Sequence, residues 1–423
     1  MNKEVYINLL KNEVVLALGC TEPIAIAYAT AKAKEVLKEK VESIELNLSA
    51  NIIKNALGVG IPGTDNIGID IAAALGAIGG DADAGLEVLK NIRKDHVKDA
   101  KLMVESNKIK TKIKDISDKL YIEVICKSKN HMAMVIIKSC HDNIVRIELD
   151  EKILFDKINE ENSCNENDMS KEITIEGIYN FAKTIDYEDI KFLLQGAIVN
   201  KKVSQEGLSG NYGLSIGKTI NEDNELSLSN SIETKMISGT AAASDARMAG
   251  CSLPIMATAG SGNQGITATM PSVVLVEELG KSDEELARAL AISNLVTIHL
   301  KSFIGRLSPL CGAGIAAATG SSAAIAYLLG GSLENIKCSI QNMIGNVSGM
   351  ICDGANGTCA LKIATGIGGA IQCAKLGMNK ITPKVTDGIV NEDVEITIKN
   401  LGVLGNKAMN NTDNVILDIM LAQ

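Results

Sequence analysis

Residues 307–333 read LSPLCGAGIAAATGSSAAIAYLLGGSL, 27 positions without one charged side chain. A run of that length is enough to cross a bilayer, so its assignment decides whether the chain is a membrane protein or a globular one. Gly, Ala and Ser dominate it, Trp is absent from the whole sequence, and neither a Tyr/Trp belt nor a Lys/Arg-rich loop flanks it. A tightly packed helix at the centre of a soluble bundle accounts for it better. The surroundings agree: residues 238–378 carry 16 charged side chains in 141 positions and hold six of the ten cysteines. This is the buried half of the protein.

Upstream of that half, residues 157–171 (KINEENSCNENDMSK) are polar and lack any period, which marks a linker. Before it, between Lys101 and Asp150, the runs LMVES, LYIEVIC, MAMVIIKSC and IVRIEL predict four strands of a small antiparallel sheet. Ile44, Leu46 and Leu48 alternate with polar residues as a strand does, with SANIIKN at its end, the turn GIPGT after it and a short helix over 67–78. Apolar residues at helical spacing fill 3–18 and again Pro23 to Lys38, broken at Gly19–Cys20. The fold class expected is α+β: an N-terminal α/β domain with a small antiparallel sheet, and a larger all-α C-terminal domain. The units expected are 1–40, helices bearing LGCTEP; 41–156, α+β; 157–171, linker; and 172–423, the helical domain. A length of 423 residues suits two or three such units.

Composition narrows the function. With 46% hydrophobic and 22% charged residues the chain is globular, and 38 Gly, 4 Phe and no Trp give a core of small and aliphatic side chains. Forty-two basic against 51 acidic residues leave a net charge of −9, no field for phosphate backbones, and nucleic acid is excluded as a partner. The first residues, MNKEVYINLLKNEVVLALG, lack a secretory pattern, so a cytoplasmic protein with reduced thiols is expected. Each cysteine must then be judged by its surroundings.

Cys311 in SPLCGAG and Cys352 and Cys359 in ICDGANGTC lie in Gly-rich, chain-reversing settings. Glycine lets backbone bend around a bulky cluster and aim amides at its sulfurs, as iron–sulfur ligation requires, and the spacing of Cys352 and Cys359 is not that of a zinc finger. In LGCTEP, Pro23 fits the first helical turn with Thr21 as N-cap. The Cys20 thiol would then sit at the positive helix end, which lowers a thiol pKa from about 8.5 and makes a base of it. GSGNQG, Gly260 to Gly265, suits a carboxylate. The same loop resembles the asparagine loop of pyridoxal-phosphate dehydratases, with Lys235 lying 25 positions upstream as the Schiff-base candidate. Against that stand the missing phosphate loop and the helical pattern of the flanks. Asn51, Lys54 and Asn55 of SANIIKN and Gly63 and Thr64 of GIPGT lie at a strand end and a turn, where ligand groups or plain turn geometry place such residues. His299, Lys301 and Arg306 precede the Cys311 loop, where a cation suits a substrate carboxylate, cluster charge or an ordinary salt bridge. Cys126, Cys140, Cys164, Cys251, Cys338 and Cys373 read as structural, and His96, His131 and His141 show no metal-ligand pattern.

SPLCGAGIAAATG followed by NMIGNVSGMICDGANGTCALK resembles the cluster-binding part of iron–sulfur L-serine dehydratases. Joined to LGCTEP, SANIIKN, GIPGT and GSGNQG, it resembles the L-cysteine desulfidase family and its serine dehydratase-like relatives, over residues 13 to 378. The resemblance implies a 4Fe-4S cluster on Cys311, Cys352 and Cys359 with one iron open to substrate. Where relatives often carry a second cysteine in the CG motif, this chain has Ala313. It further implies Cys20 as the base, in place of a histidine of the serine enzymes, or else as a fourth ligand. Substrate would be held by Thr21, Glu22, Asn51, Asn55, Gly63, Thr64, Ser261, Gly262, Asn263, Gln264 and Lys301. The activity implied is non-redox β-elimination of L-cysteine to pyruvate, ammonia and hydrogen sulfide, with L-serine dehydration as the alternative. The partner expected is the small amino acid itself, with no membrane and at most a second copy of the chain in a homodimer.

Overall fold

The computed structural model describes residues 3–158, 170, 173–222 and 231–422. Most of the expected linker 157–171, with Cys164, lies outside the described residues. The first half holds α1 (Lys3–Glu13), β1 (Val14–Ala17), α2 (Thr21–Leu37), β2 (Ser43–Leu48), α3 (Ala50–Ala56), α4 (Ile69–Gly79), α5 (Lys94–Glu105), β3 (Ile109–Ile113), β4 (Tyr121–Lys127), β5 (Met132–Lys138), β6 (Ile144–Leu149) and β7 (Lys152–Asp156). Six strands form one sheet in the order β3-β2-β4-β5-β6-β7. Every pairing is antiparallel except that of β2 with β3, which is parallel because α3 to α5 carry the chain across between them. The fold is α+β, as expected, with a mixed sheet in place of a purely antiparallel one.

Alternation in β2 buries Ile44, Leu46 and Leu48, and they share a core with α2, α4, β4 and β5. Helix α2 is alanine-rich, and Ala25, Ala27, Ala29, Ala31 and Ala33 are all buried. Helix α4 presses so close to it that a Cβ on Gly76 would lie 2.3 Å from the Ala27 carbonyl oxygen. Small side chains here set the distance between two helices.

Three local expectations are corrected. The helix expected over 3–18 stops at Glu13, because Val14–Ala17 pair with β8 (Ile255–Thr258) from the other half of the chain. LMVES belongs to α5, which buries Ala100 and Met103 on one face, and SANIIKN opens α3 after an extended Ser49. Short apolar runs carry no period that separates helix from strand, and tertiary pairing decides them. Cys140, in the turn after β5, is disulfide-bonded where a reduced thiol was expected, since a count of cysteines does not reveal which of them meet.

The second half contains α6 (Ile175–Thr184), α7 (Leu194–Ser209), α8 (Ile232–Met248), α9 (Gly262–Leu279), α10 (Asp283–Ile304), α11 (Ala318–Leu328), α12 (Leu333–Val347), α13 (Cys359–Met378), α14 (Val394–Val403) and α15 (Thr412–Leu421), with β8 the departure from an all-helical region. The charge-free stretch forms a π-helical turn, Gly312–Ala317, that runs into α11, both buried in the larger apolar core. Among the described residues no helix is long and apolar enough to cross a membrane.

Helix α15 leaves the helical half and docks on α3, with Leu417 joining the core beneath the sheet. There Lys54 Nζ meets Asp413 Oδ1 at 2.5 Å and donates to the Cys352 carbonyl at 3.0 Å, while Asn51 donates to Asp413 Oδ2 at 2.8 Å. Lys54 is 1% exposed. Removing one partner leaves a buried charge uncompensated, so Asp413→Asn should cost about 3 kcal/mol in urea unfolding. A loss under about 1 kcal/mol would class the pair with exposed bridges.

Candidate active site

The start of α2, helix α3 and the β5–β6 turn face the loops before α9, α11 and α13 across a small cleft. Its walls include Cys20, Thr21, Glu22, Asn55, His141, Arg247, Ser261, Asn263, Gln264, Lys301, Arg306, Cys311, Cys352 and Cys359. It encloses ≈ 100 Å³. A groove of ≈ 890 Å³ between α3, α4 and β3 is larger, but no cysteine lines it. Nine buried side-chain polar atoms lack a hydrogen-bond partner among the described residues, and four belong to this cleft: Asn55 Oδ1, His141 Nε2, Arg247 Nε and Gln264 Oε1. Unpaired buried polar atoms are costly, so their concentration points to a polar ligand.

The cysteine loops are positioned by backbone pairing. Leu310 and Ile351 form an antiparallel bridge, flanked by Cys311 N–H donating to Met350 O (2.9 Å) and Cys352 N–H donating to Pro309 O (2.7 Å). Cys311 precedes the π turn, whose Gly314 N–H donates to its Sγ at 3.3 Å. Cys359 opens α13. Burial first, and then the nearby Cys352 and Cys359 sulfurs, push the Cys311 thiol up to about 12, and burial lifts Cys359 to about 11. Burial also holds the Lys301 ammonium down at about 8, against the pull of Cys352. Among the described residues no three His, Cys, Asp or Glu side chains close round a single point as the shell of one metal ion; the thiols line the cleft instead.

Cys20, not Thr21, occupies the N-cap position of α2, and it makes no capping hydrogen bond. Its Sγ donates to Glu22 Oε2 at 3.2 Å, which also accepts from Thr21 Oγ1 at 3.1 Å. The thiol pKa is raised rather than lowered, chiefly by burial and next by the Glu22 charge, with Arg247 opposing. The helix end is outweighed because the thiol is out of water and faces a carboxylate. Burial disfavours the charge on Glu22, but His141 at 3.9 Å and hydrogen bonds from Cys20 and Asn55 Nδ2 (3.1 Å) favour it by more, and its carboxyl lies below the usual range.

The cleft therefore gathers Cys20, Thr21, Glu22, Asn55, Ser261, Asn263, Gln264, Lys301, Cys311, Cys352 and Cys359. Asn51 is turned to Asp413, Thr64 bonds its own turn at Ile61 O, and Gly63 and Gly262 do not line the walls. His299 pairs with Glu395 at 2.7 Å elsewhere. Lys235 is half-buried and bridged to Glu278 at 2.8 Å, outside the walls of the cleft, which removes the lysine that the pyridoxal-phosphate reading needs. His141 and Arg247 were missed. Arg247 carried a signal, a cation in a charge-poor run, whereas a lone histidine after a strand carried none.

Comparison with known proteins puts this α+β chain, with its three thiols lining one small polar cleft, in the serine dehydratase-like class. The chain belongs to the serine dehydratase alpha chain family, whose model matches residues 83–418. Relatives called UPF0597 protein are similar along nearly the whole length. That of Clostridium perfringens (strain SM101 / Type A) is 53% identical over 420 residues, 99% of this chain and 98% of its own. That of Bacteroides thetaiotaomicron is 47% identical over 416 residues, covering 98% and 96%. That of Oleidesulfovibrio alaskensis is 44% identical over 419 residues, covering 99% and 98%.

Because the Glu22 charge and its acceptor oxygen both raise the Cys20 pKa, Glu22→Gln should lower it. Alkylation of Cys20 by iodoacetamide, followed by peptide mass spectrometry across pH, should then speed up several-fold at neutral pH. An unchanged rate would show that burial alone controls the thiol.

Proposed function

We propose that the protein is an L-cysteine desulfidase, a carbon–sulfur lyase that converts L-cysteine to pyruvate, ammonia and hydrogen sulfide. The observation that carries the reading is the presence of Cys20 in one cleft with Cys311, Cys352 and Cys359. An iron–sulfur cluster fits this donor set. Cys311 is buried and Cys352 and Cys359 half-buried in one cleft, an amide is aimed at Cys311 Sγ, and the Lys301 charge acts toward Cys352 and Cys311, so cationic surroundings await thiolates. Cys311, Cys352 and Cys359 would hold a 4Fe-4S cluster, which when bound supplies a Lewis-acidic iron for the substrate's sulfur.

The remaining work falls to side chains of this chain. Cys20 Sγ removes the α-proton, and for that its own proton must first leave. Glu22 Oε2 accepts that hydrogen bond and positions the thiol, while the Arg247 charge favours its thiolate. Asn55, Thr21 and His141 hold the carboxylate in place. Leu307 and Leu310 supply apolar wall to the cleft. The second reading, L-serine as substrate with water as leaving group, is supported by the name of the family.

Anaerobic purification with iron and acid-labile sulfide analysis, followed by pyruvate and sulfide assays on L-cysteine and L-serine, tests the reading. Bound iron and sulfide release from L-cysteine are expected. Cys352→Ser should lose iron, and Cys20→Ala should keep iron while turnover drops about a hundredfold or more. Near-zero iron in the wild type would sink the cluster. Full turnover in Cys20→Ala would remove Cys20 as base, and loss of iron there would make it a ligand instead.

A further inference from the structure

Arg247 sits near the end of α8, 4% exposed, in a half of the chain where charges are scarce. Its Nη2 donates to the Gly19 carbonyl at 3.1 Å, its Nε has no partner, and among the described residues it forms no ion pair. Asp245, two positions before it, is turned away to the Gly217 amide at 2.9 Å. A guanidinium taken out of water without a counter-charge is strongly unfavourable and calls for an anion.

The other charges of the cleft do not answer it. Glu22 is occupied by Cys20, Thr21 and Asn55. Arg306 Nη2 itself donates to both Glu13 carboxylate oxygens at 2.8 and 2.9 Å, and Lys301 donates to Arg306 O at 2.9 Å while its charge acts toward Cys352 and Cys311. Arg247 lines one cleft with Cys20 and Cys359, and its charge acts on both. A Cβ on Gly262 would lie 2.3 Å from Arg247 Nε and 2.8 Å from Cζ, so that glycine is what lets the guanidinium lie against the start of α9. Ser261, Asn263 and Gln264 beside it line the same cleft.

We propose that Arg247 receives the carboxylate of the amino-acid substrate through the donors that Gly19 leaves free, seated there by Gly262. The proposal rests on the lyase reading for the identity of the substrate and on the uncompensated guanidinium for the site. It changes the part played by GSGNQG: the glycine shapes the seat of an arginine, and the charge that grips the carboxylate comes from α8. A planar fork suits a carboxylate better than a single ammonium does. Selectivity follows, since a thiol amine that lacks a carboxylate leaves the guanidinium unanswered.

The test uses anaerobically purified protein and two probes in titration calorimetry: 3-mercaptopropionate, which has the thiol and the carboxylate, and cysteamine, which has the thiol and the ammonium only. Arg247→Gln should weaken 3-mercaptopropionate about a hundredfold and cysteamine by less than about threefold, with wild-type iron content. Arg247→Lys should recover carboxylate binding to within about tenfold of wild type. If the glutamine variant does not fold, Gly262→Ala, which shifts the guanidinium without removing it, must still weaken 3-mercaptopropionate selectively. Equal weakening of both probes overturns the proposal, as does loss of iron in Arg247→Gln, which would assign the guanidinium to the cluster. A wild type that binds 3-mercaptopropionate through Arg247 yet turns over neither amino acid overturns the lyase and leaves the site. Turnover of L-cysteine, with both probes bound normally by Arg247→Gln, does the reverse.

Discussion

Two backbone hydrogen bonds, Cys311 N–H to Met350 O and Cys352 N–H to Pro309 O, tie together loops 41 positions apart in sequence. Everything that the cleft does depends on that pairing. Between the loops run α11 and α12, and the second loop leads into α13, so three packed helices must agree in length and angle before the bridge can form. The small residues of α11 permit this, because Ala, Gly and Ser let helix axes approach without side chains to hold them apart. The thiols themselves oppose the arrangement: with Cys311 out of water, the Cys352 and Cys359 sulfurs raise the energy of ionising it. Rigid backbone holds them in place in spite of it.

Charge is distributed with the same economy. Lys54 and Asp413 answer each other and brace the Cys352 carbonyl, and Glu22 is surrounded by donors. Polar groups so deeply placed are stable only when satisfied. Four of the nine unsatisfied groups found among the described residues lie in the cleft, and these four come from four separate elements: α3, the β5–β6 turn, α8 and α9. No one of these segments would identify the site alone.

Much of this was legible in the sequence, for identifiable reasons. Glycine and cysteine punctuate the loops at Cys311, Cys352 and Cys359, and such punctuation survives translation into structure because it is local. The strict alternation of Ile44, Leu46 and Leu48 marked a strand for the same reason. What was hidden depended on partners far along the chain. Val14–Ala17 is a strand only because Ile255–Thr258 lies beside it, and Asn51 is bound to a residue 362 positions away. The Cys20 thiol was misjudged because a helix end is visible in sequence and a facing carboxylate with the depth of burial is not.

The docking of α15 on α3 has a consequence for biosynthesis. A chain leaving the ribosome exposes α2, α3 and the sheet early, but Lys54 finds Asp413, 359 positions further on, only once α15 has emerged. Until then an apolar face beneath α3 and an unpaired ammonium stay open to water. The β1–β8 pairing likewise waits for the middle of the chain. Closure by α15 makes that helix a condition for bracing the Cys352 carbonyl, so a chain cut before it that spares every cleft residue still leaves Lys54 without its carboxylate.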